Sequence, residues 1–595
     1  MDETESTTEA LANDLASAAR EGFASPLAQE SDSPAESEGA GRIRVGAWLR
    51  GTSLAEVALV HADPASGVRI AAADIASTLE EGQRSDTALI LDVEVVDEVE
   101  TIEAGGLNEL IASVELGLHG LVLTDTKTKK SAGGWPSRAQ REFSGSAQWV
   151  KWLLRQARPP GVRLPESVRV ERFTTTHLVV PLNLPTAEKA DPATTDQETA
   201  AEKPQRDTTT VQTLVGGIQV VPQETLSQRR MLDAATYAGF WLLRHRLDDG
   251  RFRYEFQPGT QSWSNADSIV RQAGCAWSVA ALATAYRGGQ SKSFQDLGKT
   301  FSGAAMQSIS GILSAGLKRD GPGRLYYIEA SGEPRLGAIP LILLAVTDLR
   351  SENFNKDLGS RLTQTLLAVQ RADGSFGSSA RGLEMEGSEK YFAGQIALAL
   401  ARRYFVDKKP RIDDAVSRSL SYYQDWWADG NADLSFAAWM LQACESHHRH
   451  TPDPQSKATA KRFAYQMADW ALQFQHGAGH ANPLWVGGFD KSPGIGTAAY
   501  TEGMIRALVI AIADNDFERI GLYRRSVALA LRFLLQLQVE PADLAFIGGE
   551  EHRGAVRGSL RRRNLRCDNA QHFLMATLRA SAVLQDADLK LESVQ

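Results

Sequence analysis

From about residue 226 onward, apolar residues recur at three- and four-residue spacing in segment after segment, the period of helices that bury one face. Helix starts fall near 226, 267, 293, 335, 355, 388, 410, 432, 455, 498, 519 and 567, which predicts about twelve helices in six hairpins. The hairpin tips repeat as well, at intervals of roughly 50–70 residues. They read LDDGRFRYEF (247–256), LKRDGPGRLYYIE (317–329), QRADGSFGS (370–378), WWADGNADL (426–434), QFQHGAGHANPLW (473–485) and LQVEPADLAFIGG (537–549). Gly in the first five supplies the positive-φ turn that ends a helix, and the last turns through Glu-Pro. The aromatics that follow can cover the end of a core. Period, pairing and tip chemistry together predict an all-α (α/α) toroid of about six hairpins over residues 211–590.

Upstream the period changes. IRVGAWLRG (43–51), ALILDVEVVDEVE (88–100) and VRVERFTTTHLVVPL (168–182) alternate like strands. HGLVLTDTKTKKSAGGWPS (119–137) reads as a strand, a charged turn and a Gly-Gly-Trp-Pro corner. SAQWVKWLLRQA (146–157) reads as an amphipathic helix with Ser146 as its cap. Mixed periods predict an α/β (or α+β) domain over 42–184. Residues 185–210 are polar, Pro-dotted and free of aromatics, the composition of a linker. Residues 1–41 are acidic and rich in Ser and Ala, which reads as a disordered tail. The chain is therefore expected to be multidomain.

Composition narrows the setting. A net charge of −9 makes the whole chain no magnet for nucleic acid or anionic membrane. Three cysteines, Cys275, Cys444 and Cys567, are too scattered for a disulfide framework. The first 40 residues lack the basic start and apolar stretch of a secretory signal. No run of about 18 apolar residues occurs, so no membrane span is expected. These features point to a cytoplasmic protein. The exception to the acidic balance is RGAVRGSLRRRNLR (553–566), six arginines without an acid. It reads as a solvated loop, with a lid over the toroid's mouth or a phosphate contact as alternatives, and nucleic acid is disfavoured.

Two resemblances follow from particular residues. GLHGLVLTDTKTKKSAGGWPSRAQREFSGSAQWVKWLLRQARPPG followed by ESVRVERFTTTHLVV resembles the second half of the AMMECR family domain. Gly117, Gly120, Leu121, Pro136, Trp149, Leu153 and Phe173 carry the likeness, over about 60 residues. The family's L-R-G-C-I-G hexapeptide is absent, and WLRGTSL (48–54) is its nearest echo. The family's activity is obscure, so the resemblance implies a fold rather than a reaction. The toroid's tips resemble those of sugar epimerases, polysaccharide lyases, six-hairpin glycoside hydrolases, terpene cyclases and lanthionine cyclases. The D-x-D-D acid of protonating terpene cyclases is missing, as is the Cys-His-Gly zinc pattern of lanthionine cyclases. A zinc set from Cys275, Cys567 and His572 is an alternative, but no metal or other cofactor is assigned.

Inner helices of a toroid aim side chains at its cavity, so polar residues at helix starts are the candidate site. The start at 265–286 offers Asp267, Arg271 and Gln272, with Asp267 and Arg271 one turn apart. It resembles an N-x-x-R-H-A-G-T pattern of bacterial toroid proteins, with Gln272 in the His position. The start at 383–404 offers Glu384, Glu386, Tyr391 and Gln395. It is similar to a Y-x-x-G-E/Q helix of such toroids, and Gln395 cannot take a proton. The start at 494–511 offers Glu502. The last, at 548–580, offers Arg566, Asp568 and His572, with Asp568 placed to hold the imidazole. Asp267, Glu502, Asp568 and His572 are the catalytic candidates; Arg271, Gln272, Glu386, Tyr391, Gln395 and Arg566 are the binding candidates. Each also sits where a helix cap belongs.

Carboxylates, amides, Arg and aromatics at one mouth suit a small-molecule or oligosaccharide ligand, sugar or uronate. Paired carboxylates would serve a hydrolase, and His with Tyr an epimerase or lyase. Two other readings stay open: a catalytically empty toroid that binds a ligand or protein partner, and a cyclase-like enzyme on peptide or isoprenoid.

Overall fold

The computed structural model describes residues 3–24, 41–86, 88–143, 146–157, 167–182, 212–215, 217–289, 291–319, 326–330, 333–350, 356–377 and 389–591. The linker expected at 185–210 lies outside them.

The amino-terminal region is built on strands β1 (Gly41–Leu49), β2 (Thr52–His61), β3 (Ile90–Ile102), β4 (Gly120–Asp125), β5 (Ser131–Gly134), β6 (Val168–Pro181) and β7 (Gln212–Leu214). They form one sheet in the order β2-β1-β3-β6-β4-β5, with β7 also on β6. Every pairing is antiparallel, which selects the α+β alternative. Period-2 alternation splits β3 between two environments. Leu91, Val93 and Val95 join an apolar core with Ile43, Val45, Leu178 and Val180. Asp92 and Glu94 point to the opposite face, where both are fully buried.

Six helices accompany the sheet: α1 (Glu3–Ala24), α2 (Pro64–Thr78), α3 (Glu81–Arg84), α4 (Leu107–Ser113), α5 (Pro136–Glu142) and α6 (Ser146–Ala157). The first corrects the expectation of a disordered tail. Leu15, Ala16, Ala18 and Ala19 of α1 pack against Ala71, Ala72 and Ile75 of α2. An acidic, Ala-rich segment hides one narrow stripe of small apolar residues, and that stripe is enough to dock it. Ser146 is also corrected: it lies within α6, and its hydroxyl donates to the Val114 carbonyl at 2.8 Å.

Among the described residues the carboxy-terminal region holds twelve long helices, each starting within a few residues of the position its periodicity predicts. The outer ones are α7 (Gln228–Arg244), α9 (Lys292–Gly316), α11 (Lys356–Ala368), α13 (Pro410–Ala428), α15 (Pro454–Ala471) and α17 (Phe517–Leu535). The inner ones are α8 (Ile269–Arg287), α10 (Ala338–Leu349), α12 (Glu389–Asp407), α14 (Leu434–His450), α16 (Gly496–Asp514) and α19 (Cys567–Val583). Each inner helix packs on the next, and α19 returns to α8, closing the ring. Short helices α18 (Leu544–Ile547) and α20 (Asp586–Lys590) flank α19.

Small residues let the inner helices approach. A Cβ on Gly394 would meet Trp439 at 2.6 Å, and one on Gly274 would meet Gln571 at 2.2 Å. Side-chain caps at Ser227, Ser291, Asp453 and Asp516 start four outer helices. Inner helices α8, α16 and α19 start without one, so their polar residues are not spent on caps. At the tips, Gly250, Gly374 and Gly430 take positive φ as expected. In the fifth tip that role falls to Gly487, beyond the predicted segment, where a Cβ would meet the Leu529 carbonyl oxygen at 1.9 Å.

The two regions touch along one seam. Phe546 of α18 packs edge-on to Trp48 at 5.3 Å, within a cluster that includes Ile90, Val179 and Leu214. Gln140 of α5 donates to the Leu560 carbonyl at 2.6 Å, and Asn482 donates to Glu115.

Candidate functional site

The helix starts of the inner ring surround a cavity of about 720 Å³. Among the residues lining it are Arg271, Tyr391, Gln395, Asp568 and His572, from three inner-helix starts. The structure thus brings five of the ten sequence-chosen residues to one chamber. It adds Phe392, Ser435, Trp439, Tyr500 and Gln571. Ser435 and Trp439 belong to α14, whose start carries the sequence Asp433-Leu-Ser-Phe. The signal was present there too, since Asp433 caps that helix beside the ring.

A buried ion-pair network lies at the chamber wall. His572 Nδ1 meets Glu502 Oε1 at 2.9 Å, and Glu502 Oε2 accepts from Arg579 Nη1 at 2.6 Å. Glu502 is only 1% exposed, so its charge is met by these two partners rather than by water. Arg579 also donates to Gln442 Oε1 at 2.5 Å. Burial pushes the Arg579 guanidinium down to about 9, while Glu502 pulls the other way. The tautomer that donates Nδ1–H to this carboxylate leaves Nε2 as the ring's lone-pair nitrogen. The side chain is 23% exposed, and Trp439 stands edge-on to the imidazole at 5.9 Å.

Asp568 does not hold His572, which corrects the reading from their one-turn spacing. Its carboxylate is taken by Arg271 Nε at 2.9 Å and by Arg566 Nε at 2.5 Å. Two guanidinium groups occupy the carboxylate that one-turn spacing would have offered to the imidazole. Arg271 further donates to the Tyr254 hydroxyl and lies over that ring at 5.6 Å. Burial raises the Tyr500 hydroxyl to about 12, which keeps it a proton donor at neutral pH.

Other expectations change as well. Asp267 does not pair with Arg271; it binds Arg251 at 2.8 Å and accepts from Gln272 Nε2 at 2.8 Å. Gln272 is 1% exposed and clasps Phe252, accepting from its backbone N–H (2.9 Å) and donating to its carbonyl (2.8 Å), so it fastens a tip. Glu384 and Glu386 lie outside the described residues. Arg566 reaches the site only through Asp568. Among the described residues no three His, Cys, Asp or Glu side chains gather as a metal set, so Cys275, Cys567 and His572 do not form one.

A second polar cluster, missed in the sequence, lies on the buried far face of the amino-terminal sheet. Arg44 binds Asp92 at 2.9 Å, Glu94 at 3.1 Å and Glu56 at 2.8 Å. Asp92 also meets His177 Nε2 and, at 3.3 Å, Arg141. Ser137 Oγ donates to Glu94 at 2.6 Å. Burial works to raise the Asp92 carboxyl, but His177, Arg44 and Arg141 outweigh it and hold the group well below the usual carboxylate range. Strand alternation alone could have found these residues, since Arg44, Asp92, Glu94 and His177 occupy one face by register.

No protein-family model matches the chain, and no curated protein matches it. Among solved structures, a family 76 glycoside hydrolase from a bovine Bacteroides thetaiotaomicron strain is 8% identical, with a TM-score of 0.46 over 83% of this chain and 96% of its own. A D-mannose isomerase is 12% identical, with a TM-score of 0.43 over 60% of this chain and 97% of its own. An uncharacterised protein from Pyrococcus horikoshii is 16% identical, with a TM-score of 0.23 over 29% of this chain and 92% of its own. Likeness this slight does not carry an activity from those proteins to this one. Among the described residues no helix is long and apolar enough to cross a membrane.

Proposed function

We propose that the toroid is a carbohydrate-active enzyme that moves a proton on an open-chain sugar, by isomerisation or epimerisation. The observation that carries this reading is the Glu502–His572 contact at the wall of the chamber. Glu502 holds the imidazole with Nε2 as the basic nitrogen. That nitrogen takes a proton from the carbon beside a sugar carbonyl, leaving an enediolate, and returns it to the former carbonyl carbon while the hydroxyl proton passes to the former carbonyl oxygen, which isomerises the sugar. A proton given instead to the opposite face of the first carbon by a second donor, such as a chamber tyrosine, epimerises it. The Arg271 guanidinium faces the negative charge that gathers on oxygen between those two events. Tyr391, Tyr500, Gln395, Ser435 and Gln571 offer donors and acceptors for hydroxyl groups, and Trp439 offers an apolar wall.

The same lining disfavours glycoside hydrolysis. That chemistry uses two carboxylates across the scissile bond. Among the described lining residues there is one, Asp568, and two arginines hold it. A cytoplasmic setting, with small sugars or sugar acids as substrates, fits this reading.

The amino-terminal region is read as an accessory AMMECR-like domain. Three features support it. Gly120 lies directly under the Phe173 ring, Gly134 lies under Trp149, and Trp135 meets Phe173 edge-on at 5.6 Å.

The test is solvent exchange. Aldoses, ketoses and uronates incubated with the full chain in deuterium oxide should gain deuterium next to the carbonyl, read by proton NMR. His572→Gln should slow the exchange by about 10²–10⁴-fold, the usual contribution of a general base. Absence of exchange across all three sugar classes with the unaltered protein overturns the proposal.

A further inference from the structure

Two side chains in the chamber wall are polar, buried and idle. Gln395 of α12 is 6% exposed and Gln571 of α19 is 3% exposed, and both line the chamber. Among the described residues no group donates to or accepts from either amide. The other buried glutamines of the toroid behave differently. Gln272, Gln442, Gln536 and Gln538 each bond a backbone group, at Phe252, Ala438, Leu484 and Ala234. A buried amide costs free energy when its bonds are left unmade, so two that open on a cavity are satisfied by what the cavity holds.

Their placement is equally specific. The inner ring runs α8, α10, α12, α14, α16, α19, so α12 stands three helices from α19 in either direction. Gln395 therefore belongs to the wall opposite the one that carries Gln571 and His572. Gly274 leaves the room that Gln571 fills, since a Cβ there would meet its Oε1 at 2.2 Å. The charges of the lining, by contrast, are spent on one another. Arg271 Nε binds Asp568 at 2.9 Å, Arg566 takes the same carboxylate, and His572 is turned to Glu502. The arginine run at 553–566 adds no free cation: none of its residues lines the chamber, Arg557 is buried on Asp543 at 2.6 Å, and Arg561 lies over Trp485 at 5.5 Å. That run is a folded hairpin, in which Arg557 bridges Leu565, and not a solvated loop or a lid.

We infer that Gln395 and Gln571 are the specificity-determining residues of the chamber, a pair of amides on facing walls that selects an uncharged polyhydroxyl ligand over sugar acids and sugar phosphates. An amide donates to one hydroxyl and accepts from another, and a site built to bond hydroxyls rejects a ligand that cannot supply them. A fixed carboxylate or phosphate would lose its hydration here and meet no unshared cation in return. The pair rests on the sugar chemistry proposed for the same chamber, and it sets the ligand's direction. The carbonyl end lies at His572 beside Gln571, and the hydroxyls remote from it lie at Gln395.

Alditols test the pair, because they carry a sugar's hydroxyls without the carbonyl and bind or fail to bind whether or not the chamber does chemistry. The full chain is titrated with sorbitol, mannitol, gluconate, glucarate and sorbitol 6-phosphate, followed by ligand-detected NMR. Saturable binding of an alditol is expected, about tenfold or more tighter than that of the acids or the phosphate. Gln395→Leu keeps most of the volume and loses both bonding groups, and should weaken the alditol by about tenfold. It should leave the melting temperature of the ligand-free protein unchanged or higher, because it removes an amide that bonds nothing. Gln272→Leu is the control, and should melt lower because it breaks two bonds to Phe252. Alditol binding with no deuterium exchange on any sugar overturns the proton-transfer chemistry and leaves the pair standing. Exchange on uronates as fast as on uncharged sugars overturns the pair and leaves the chemistry standing. The pair is also overturned by equal binding of alditols and acids, by no saturable alditol binding, or by a Gln395→Leu variant that melts lower yet binds alditols normally.

Discussion

His572 and His177 meet the same chemical partner in two settings. Each ring donates or shares a proton with a buried carboxylate, Glu502 in the toroid and Asp92 in the amino-terminal sheet. Each carboxylate is also held by arginine: Glu502 by Arg579, Asp92 by Arg44 and Arg141. The difference is the second ring nitrogen. His572 is 23% exposed and lines the chamber, while His177 is 1% exposed and its Nδ1 is enclosed without a partner. A histidine–carboxylate pair is therefore not a site by composition. In the sheet it is part of a brace that ties β1, β3, β6 and α5 together. In the toroid the ring lines a space large enough for a ligand.

The comparison can be broken most forcefully at Asp92. Asp92→Ala leaves Arg44, Arg141 and His177 around an empty place, and breaking a buried charge network this way costs about 3–5 kcal/mol. Urea denaturation followed by circular dichroism should show that loss; a cost near zero would mean that the network is no brace. Acid should separate the two regions next. His447 in α14 is pushed down to about 4 by burial. Its folded value lies below its unfolded one, so the unfolded chain binds the proton first, and the toroid loses stability as pH falls from about 6.5 toward 4. The loss is on the order of 3 kcal/mol for this one group. Asp92 is also depressed, but from 3.8. Its contribution is present above that value and is lost only as pH falls through the still lower folded value. An acid titration read by hydrogen exchange should therefore loosen the helical ring before the sheet around Asp92; the reverse order would contradict the assignment.

How much of this was legible depends on how local each interaction is. The twelve long helices could be read because a 3.6-residue period is written into each segment on its own. The chamber could be read in part, because Arg271, Tyr391, Gln395, Asp568 and His572 share a place at the start of inner helices. What could not be read is who holds whom. Asp568 and His572 lie one turn apart, yet Arg271, almost 300 residues away, takes the carboxylate. Glu502 reaches His572 from the neighbouring inner helix, 70 residues away, a pairing that no spacing encodes. Gln272 looked like a site residue, yet its side chain clasps a tip, because Phe252 offers it both backbone groups. Residues 3–24 looked like a tail because their apolar stripe is made of alanines with a single buried leucine, Leu15.

Smaller changes sharpen the contrast inside the toroid. Glu502→Gln keeps the volume and an acceptor for Arg579 but gives up the charge that opposes it. A loss of about 1–3 kcal/mol follows from leaving Arg579, 9% exposed, without its counter-ion. The exchange rate should fall as well, since an amide can turn its NH₂ toward Nδ1, favour the other tautomer and so leave a proton on Nε2. If the rate is unchanged, Glu502 supports the fold and not the ring.

The smallest expected change in stability is also the most informative. His572→Gln removes a ring from the chamber wall but leaves the Glu502–Arg579 pair intact, so it should cost less than about 1 kcal/mol. His177→Gln takes a partner from a carboxylate that has no access to water, and should cost more, about 1–3 kcal/mol. Thermal unfolding of the two variants side by side measures the gap. Equal costs would mean that His572 is packed as tightly as His177, that its second nitrogen is not available to a ligand, and that the toroid's chamber is held open by something other than a need for that ring.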